Sequence, residues 1–468
     1  MVTQRSAVPN KYAHTTAKRA RPNRVSQRLF ARGLHASRRG PNASGATFRP
    51  MSATRIDGTT TGFPAMADVA LDDVGAQGWT LFEDLTPPVM VLREPALAHN
   101  LELMRGYLDA HGVAIAPHGK TTMAPAIWRR QLDAGAWGIT AATPSQVRVM
   151  RDIGVPRILL ANELVDDVAI AWVARQLDDP LFRFACWLDS IDGVDLLAAR
   201  LRGAGAERPL AVLVELGHAG GRTGARSLTE ALEVVGAVAD RSELALAGIA
   251  GYEGTLAEKR SDANITRVDA FLEELSTLAE RAIDFEDVGA AGLDDAFVVT
   301  AGGSAFFDRV TDVLRSGVAA SDAVRVVLRS GCYVTHDHGH YERVSPMPSS
   351  RGADGFLPAI EVWGSVLSTP EPGVAVIGVG KRDVAADIDL PIARWIRGDD
   401  GAIRAASGIR VTRLMDQHAI CAVGGEDPPV GGLVGFGISH PCAAFDRRRV
   451  IPVIDADGRV IEAVETRF

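Results

Sequence analysis

Two short patches of this sequence place chemically useful residues at definite spacings. The first is Pro117-His118-Gly119-Lys120-Thr121, directly after an apolar run at 113–116. A lysine amine attacks a carbonyl carbon only as the free base. One set in a pocket wall near other cations, where its pKa falls, is therefore suited to forming an imine with an aldehyde. The second patch is Ser439-His440-Pro441-Cys442. Residues two apart on an extended strand share a face, so this imidazole and thiol can meet one metal ion. A thiolate ligand favours zinc over manganese or magnesium. Pro441 between the two points to a strand end rather than a regular interior strand. In isolation the lysine reads as a solvated surface residue and the His-x-Cys triplet as one that binds nothing. The elements around them decide the matter.

From about Pro87 short apolar runs alternate with amphipathic stretches. Strands are expected at 89–92, 113–116, 137–141, 157–160, 182–188, 210–216, 244–249, 297–300 and 324–328. One intervening helix starts at Thr143, with Pro144 in its first turn and Gln146 reaching back, and ends at Gly154; another starts at Ser227 with Glu230 in the same relation. This rhythm implies parallel strands with crossover helices, and its number of repeats implies a (β/α)8 barrel, an α/β fold. A doubly wound sheet is the alternative, but no dinucleotide glycine fingerprint opens the first unit. In a barrel the working residues follow the strand ends. Those positions hold the lysine turn, His218 through Arg222 to Gly224, Gly251-Tyr252-Glu253-Gly254, Gly302-Gly303-Ser304 and Ser330-Gly331-Cys332-Tyr333. Glycine turns on two neighbouring late strands can cradle a phosphate through backbone N–H groups. With Lys120 across the mouth they make a site for a phosphate-bearing aldehyde.

After about Tyr341 helical periodicity fades, and strands are expected at 360–367, 374–379, 409–414, 419–423, 433–438 and 450–454, separated by Gly, Pro and Asp turns. This is a second, all-β domain, to which 79–85 is expected to add a strand. The organisation expected is a disordered basic tail at 1–66, an N-terminal segment at 67–93 partly joining the β domain, a barrel at 94–340 and the β domain, with the metal pair, at 341–468. The first fifty residues carry eleven Lys and Arg and no acid; taken from the net charge of −8, they leave −19 for the rest. That stretch reads either as an organelle transit peptide or, preferred here, as an upstream stretch with Met51 or Met66 as the working start. The acidic body shows no basic stripe for nucleic acid, no apolar run spans a bilayer, and four scattered cysteines without a CxxC pair fit a reducing, cytoplasmic compartment.

Together these segments resemble the fold-type III pyridoxal phosphate enzymes, in the D-threonine aldolase and D-serine dehydratase branch of the alanine-racemase-like barrels, of the bacterial amino acid deaminase type. The likeness runs from about Pro87 to the C-terminus and rests on the Pro117–Thr121 motif, the Gly-Arg-Thr-Gly stretch ending at Gly224, and the ordered turns that follow. It implies that Lys120 holds pyridoxal 5'-phosphate as a Schiff base and moves the Cα proton. It implies that Gly302, Gly303, Gly331 and Cys332 hold the phosphate chiefly by backbone, with Ser304 and Tyr333 in the same turns. It further implies that Arg222 reaches the ring oxygen, that Tyr252 packs near the ring or its nitrogen, and that His118 supports the lysine loop. The metal pair His440 and Cys442 sits where the branch carries one. Ser439 departs from the Asn often found before the His. The activity implied is elimination from a small D-β-hydroxy amino acid such as D-serine, giving keto acid and ammonia, by a homodimer. D-threonine aldolase-like cleavage is the alternative; a racemase would leave the metal pair idle, and a non-enzymatic carrier of the cofactor would have no use for the β domain. Plainer roles stand beside these. Arg222 can simply form a salt bridge, Cys332 can be an inert filler, the row His336, His338 and His340 reads as a polar strand face or loop, and His418 reads as structural or as support to the site.

Overall fold

The computed structural model describes residues 54–283, 293–318, 323–425 and 427–468. Strand β1 (Arg55–Asp57) pairs antiparallel with β2 (Asp68–Ala70), and β3 (Val89–Arg93) follows. Eight parallel strands come next. They are β4 (Ala114–Ile115), β5 (Ile139–Ala141), β6 (Arg157–Glu163), β7 (Arg183–Leu188), β8 (Leu210–Leu216), β9 (Leu244–Gly251), β10 (Phe297–Ala301) and β11 (Val324–Leu328). Each is paired with its neighbour in the order of a ring. The ring closes at β4, which pairs with β11 on one side. On the other side, Trp137 N–H donates to Ile115 C=O at 2.8 Å and His118 bridges Thr140 in parallel. This is the (β/α)8 barrel. Its strands alternate: Leu159, Ala185, Trp187, Ala211, Leu213, Val298 and Val327 form an inner cluster, while Ile158, Leu160, Phe184, Cys186, Val212 and Val299 pack outward among the helices. Both expected helix starts hold. Thr143 Oγ1 accepts from Gln146 N–H, Ser227 Oγ accepts from Glu230 N–H, and Gly154 takes a left-handed turn at φ 88°.

The β domain holds β12 (Ile360–Glu371), β13 (Val374–Ile377), β14 (Ile392–Arg397), β15 (Ile403–Ala405), β16 (Ile409–Leu414), β17 (Ala419–Val423), β18 (Leu433–Gly437), β19 (Val450–Ile454) and β20 (Val460–Glu465). Strand β12 is the hinge of its topology, pairing with β18, β13 and β3. The run at 89–92, read above as part of the barrel rhythm, is therefore a β-domain strand: β3 lies antiparallel to β12 and parallel to β19.

Two expectations about the N-terminal region need correcting. Residues 54–66 were assigned to the disordered tail, yet Ile56 is fully buried and Phe63 nearly so, in a core shared with Leu71, Val74, Val89, Trp363 and Ile454. The basic composition of the first fifty residues does not extend to these. The remainder of the expected tail, 1–53, lies outside the described residues. The segment 79–85 contributes a single bridge, Thr80 to Arg459, rather than a strand; it fills the same core with Leu81 and Leu85. Among the described residues no helix is long and apolar enough to cross a membrane.

Candidate active site

The lysine turn is built by exclusion of space. It leaves β4 at the barrel seam as a 3-10 turn over Gly119–Thr121. A Cβ on Gly119 would lie 2.6 Å from Met150 Cε and 2.9 Å from Ile139 Cγ2, so any larger residue would have to displace these side chains. Trp128 Nε1–H donates to Gly119 C=O at 3.3 Å and Met123 N–H donates to the same oxygen at 2.9 Å. Lys120 projects from this pinned turn into a cavity of about 390 Å³. Among the described residues it makes no hydrogen bond or ion pair. The cavity wall also holds His118, Thr121, Asn162, Arg222, Tyr252, Gly302, Gly303, Ser304, Arg329, Gly331, Cys332, Tyr341, His440 and Cys442. Of the residues singled out from sequence for the site, all but Tyr333 come together here. Tyr333 turns into the core beside Phe356, ring centroids 5.9 Å apart, and its side chain is removed from the cofactor set.

The glycine turns do not work as expected. Gly302 N–H donates to Glu253 Oε2 at 3.0 Å and Gly303 N–H donates to Oε1 at 2.6 Å. The buried Glu253 carboxylate thus occupies the two donors assigned above to a phosphate. The amides of Ser304, Gly331 and Cys332, which find no partner among the described residues, remain as anion donors. The two turns are tied together by Ser330 Oγ, which donates to the carbonyls of Gly302 and Gly303 at 3.3 and 3.2 Å. A Cβ on Gly331 would lie 2.4 Å from the His118 carbonyl.

Charge is concentrated on one side. Arg329 is buried and donates to Thr300 Oγ1 at 2.8 Å and Gly251 C=O at 2.6 Å. Burial pushes its pKa down, and the Glu253 and Glu215 carboxylates oppose that shift. Among the described residues Arg222 forms no salt bridge; its guanidinium lies over the Tyr252 ring, 4.5 Å from the centroid. Burial and then Glu253 push the Tyr252 phenol up to about 12. His118 is held neutral, first by burial and then by Lys120 and Arg329, and its buried Nδ1 has no partner among the described residues. An orphaned imidazole nitrogen, an unpaired lysine and a set of bare amides in one cavity fit an anionic aldehyde such as pyridoxal phosphate.

Another part of the wall carries sulfur. Strand β18 ends at Gly437, and Pro441 opens a 3-10 turn, Pro441–Ala443, so His440 and Cys442 share a turn rather than a strand face. Cys442 Sγ lies 3.4 Å from Cys332 Sγ, and one donor atom each of Cys332, His440 and Cys442 lie within 4.8 Å of one another. Cys332 thus meets a second sulfur at the cavity wall. Its thiol is pushed up by its bond to Cys442 and then by burial, while that bond holds Cys442 down. His440 Nδ1 bonds Asp387 Oδ2 at 2.6 Å, which fixes the ring and leaves Nε2 for an ion. Ser439, the residue that departs from the family pattern, donates to Asp389 Oδ2 at 2.6 Å. Thr121 Oγ1, next to Lys120 in sequence, sits 3.5 Å from Cys442 Sγ and so links the two parts of the wall.

Arrangement and composition agree with what this chain is similar to. Residues 93–292 match the family model "Alanine racemase, N-terminal domain", and 359–454 match that of the serine dehydratase domain. The chain is a fold-type III pyridoxal phosphate enzyme. It falls in the D-threonine aldolase and D-serine dehydratase branch. A D-threonine aldolase from Arthrobacter sp is 25% identical over 380 residues, covering 80% of this chain and 90% of that one. The solved D-threonine aldolase from Filomicrobium marinum superposes with TM-score 0.68 at 24% identity, over 82% and 95% of the two chains. D-threo-3-hydroxyaspartate dehydratase from Delftia sp. HT23 gives 0.63 at 22%, over 83% and 99%. The same dehydratase is described as a cysteine-to-alanine variant in the metal-free form.

Other residues of this fold-type III enzyme escaped the sequence reading. Glu253, Arg329, Thr121, Tyr341 and Asp387 belong to the site; Glu253, Arg329 and Thr121 had a visible signal, their places just after barrel strands. His336 pairs with Glu342 at 3.1 Å, His338 packs on Trp395, and His340 stands beside His440 with centroids 6.0 Å apart, so the three-histidine row splits among separate neighbours. His418 is exposed in the turn between β16 and β17, away from the cavity lining.

A second carboxyl feature lies on the strands flanking β7. Glu163 Oε1 and Glu215 Oε2 are buried without a partner among the described residues. Burial, then the Glu215 carboxylate, raises Glu163 from 4.5 to about 7. The folded chain therefore holds a proton that an unfolded glutamate has lost, and this contribution is full below 4.5 and is lost as pH rises to about 7. Glu163→Gln keeps a donor without a charge. It is expected to flatten the fall in Tm between about pH 5 and about pH 8; parallel Tm profiles for the two proteins would contradict the raised Glu163 pKa.

Proposed function

We propose that this enzyme is a metal-assisted lyase that eliminates water from small D-β-hydroxy amino acids in the manner of a D-serine dehydratase. The observation that carries the reading is that Lys120 and the Cys332, His440 and Cys442 donors line one cavity of about 390 Å³. One small substrate can then present its Cα to the lysine and its β-oxygen to the sulfur wall. Bound pyridoxal phosphate supplies an electron sink for the Cα carbanion, and a divalent ion supplies Lewis acidity at the β-oxygen. Lys120, Arg222, Tyr252 and the amides of Ser304, Gly331 and Cys332 would hold the first. His440 and Cys442 would hold the second, with zinc favoured by the thiolate.

The chain's own residues then do the following. Lys120 takes the Cα proton from its pinned turn. Neutral His118 and buried Arg329 line the same cavity as that amine. Asp387 holds the His440 ring in one orientation. Substrate loses its Cα proton and β-hydroxyl as water, and the resulting enamine hydrolyses to keto acid and ammonium. Retro-aldol cleavage is the second reading, favoured by the D-threonine aldolase relative that spans most of the chain. A homodimer in a reducing cytoplasmic compartment completes the proposal, supported by the resemblance and by four free cysteines.

The test is a product assay with D-serine, D-threonine and D-threo-3-hydroxyaspartate on zinc-loaded holoenzyme. Keto acid and ammonium in equal amounts are expected. Glycine and aldehyde as main products would replace elimination by aldol cleavage, and release of neither from any substrate would overturn the lyase reading.

A further inference from the structure

We infer that Cys332 is a third protein ligand of the metal, so that the site is a two-sulfur, one-nitrogen tripod spanning the barrel and the β domain. The inference rests on the metal-assisted reading above and goes beyond its His440–Cys442 pair. Cys332 opens the 3-10 turn Cys332–Val334 after barrel strand β11. Cys442 and His440 come from the turn after β18 of the β domain. The two sulfurs approach from different domains and stop 3.4 Å apart.

That spacing is informative. Two thiolates on a tetrahedral zinc ion, with bonds of about 2.3 Å, sit about 3.8 Å from each other. The observed pair is within half an ångström of that edge and well beyond a disulfide bond, and both cysteines are free. Two bare thiolates at this distance repel, and burial deepens the repulsion; a dication between them removes it. The nearby groups also suit a thiolate site. Thr121 Oγ1 lies 3.5 Å from Cys442 Sγ and 3.7 Å from Cys332 Sγ, and the Asp387 carboxylate orients His440. Three protein ligands and one open tetrahedral position make up a catalytic zinc site, the open position being left for an oxygen of substrate.

The ligand set has a consequence for metal choice. Two thiolates select borderline and soft ions, so zinc, cobalt and cadmium are expected to bind and magnesium to be excluded. It also makes the metal a clamp between a barrel turn and a β-domain turn.

X-ray absorption on zinc-loaded holoenzyme counts the sulfurs directly. Two sulfur scatterers at about 2.3 Å are expected for the wild type, and one for Cys332→Ala and for the near-isosteric Cys332→Ser. Chelator competition on the same samples should show zinc held at least about 10²-fold more loosely in both variants. One sulfur in the wild type, with zinc affinity unchanged by Cys332→Ser, overturns the tripod and leaves the His440–Cys442 pair standing. A wild type that binds no zinc, or zinc without sulfur, overturns the pair as well. The wild-type sulfur count decides the matter even if a variant fails to fold.

Discussion

Lys120→Ala is expected to lower turnover by about 10⁴-fold or more while the apoprotein melts as the wild type does. Two losses combine: the amine that presents the cofactor aldehyde as an imine disappears, and with it the group that moves the Cα proton, itself worth about 10² to 10⁴. Stability should be spared, because Lys120 makes no hydrogen bond among the described residues and the turn is held by Trp128 and Met123 bonds to the Gly119 carbonyl. The visible Schiff-base band should vanish with the side chain, and borohydride treatment of the wild type should mark the peptide holding Lys120. Cofactor fixed on any other lysine, or a variant rate near wild type, would remove Lys120 from the chemistry.

Chelation to exhaustion is expected to lower elimination by about 10³-fold, the several kcal/mol that Lewis-acid assistance contributes to departure of a hydroxide. The cofactor band should persist, since the imine is made by the Lys120 amine, which is not among the Cys332, His440 and Cys442 donors, even though the turn after β11 also carries Cys332. Zinc should restore the rate and magnesium should not, because the site is thiolate-rich. Cys442→Ala should reproduce the loss without chelator. Full elimination activity after both treatments would leave the metal idle and remove it from the reaction.

What the sequence discloses and what it hides follow from range. The barrel strands were readable because both faces of each are buried, which makes continuous apolar runs between amphipathic helices. Strand β15 was not, since all three of its residues are exposed, and β14 is only half-buried along its length. The lysine turn and the His-x-Cys triplet are local in sequence and stood out. Glu253 reaches Gly302 and Gly303 across some fifty residues, Cys332 meets Cys442 across 110, and Asp387 meets His440 across 53. No spacing rule announces such pairs; the topology brings them together. The error at 54–66 has a different origin, because a charge average taken over the first fifty residues says nothing of Ile56 and Phe63 just beyond it.

Strand β3 has a consequence for how the chain is made. It lies between β12 and β19, yet it is synthesised before the whole barrel, and its partners come some 270 and 360 residues later. A nascent barrel leaving the ribosome therefore carries the apolar strand Val89–Arg93 with both hydrogen-bonding edges empty. Synthesis adds roughly 5–20 residues per second, so the edges wait tens of seconds for β19. Chaperone demand during biosynthesis should fall in that interval, and chains truncated after the barrel should aggregate through this strand even where the barrel itself has closed.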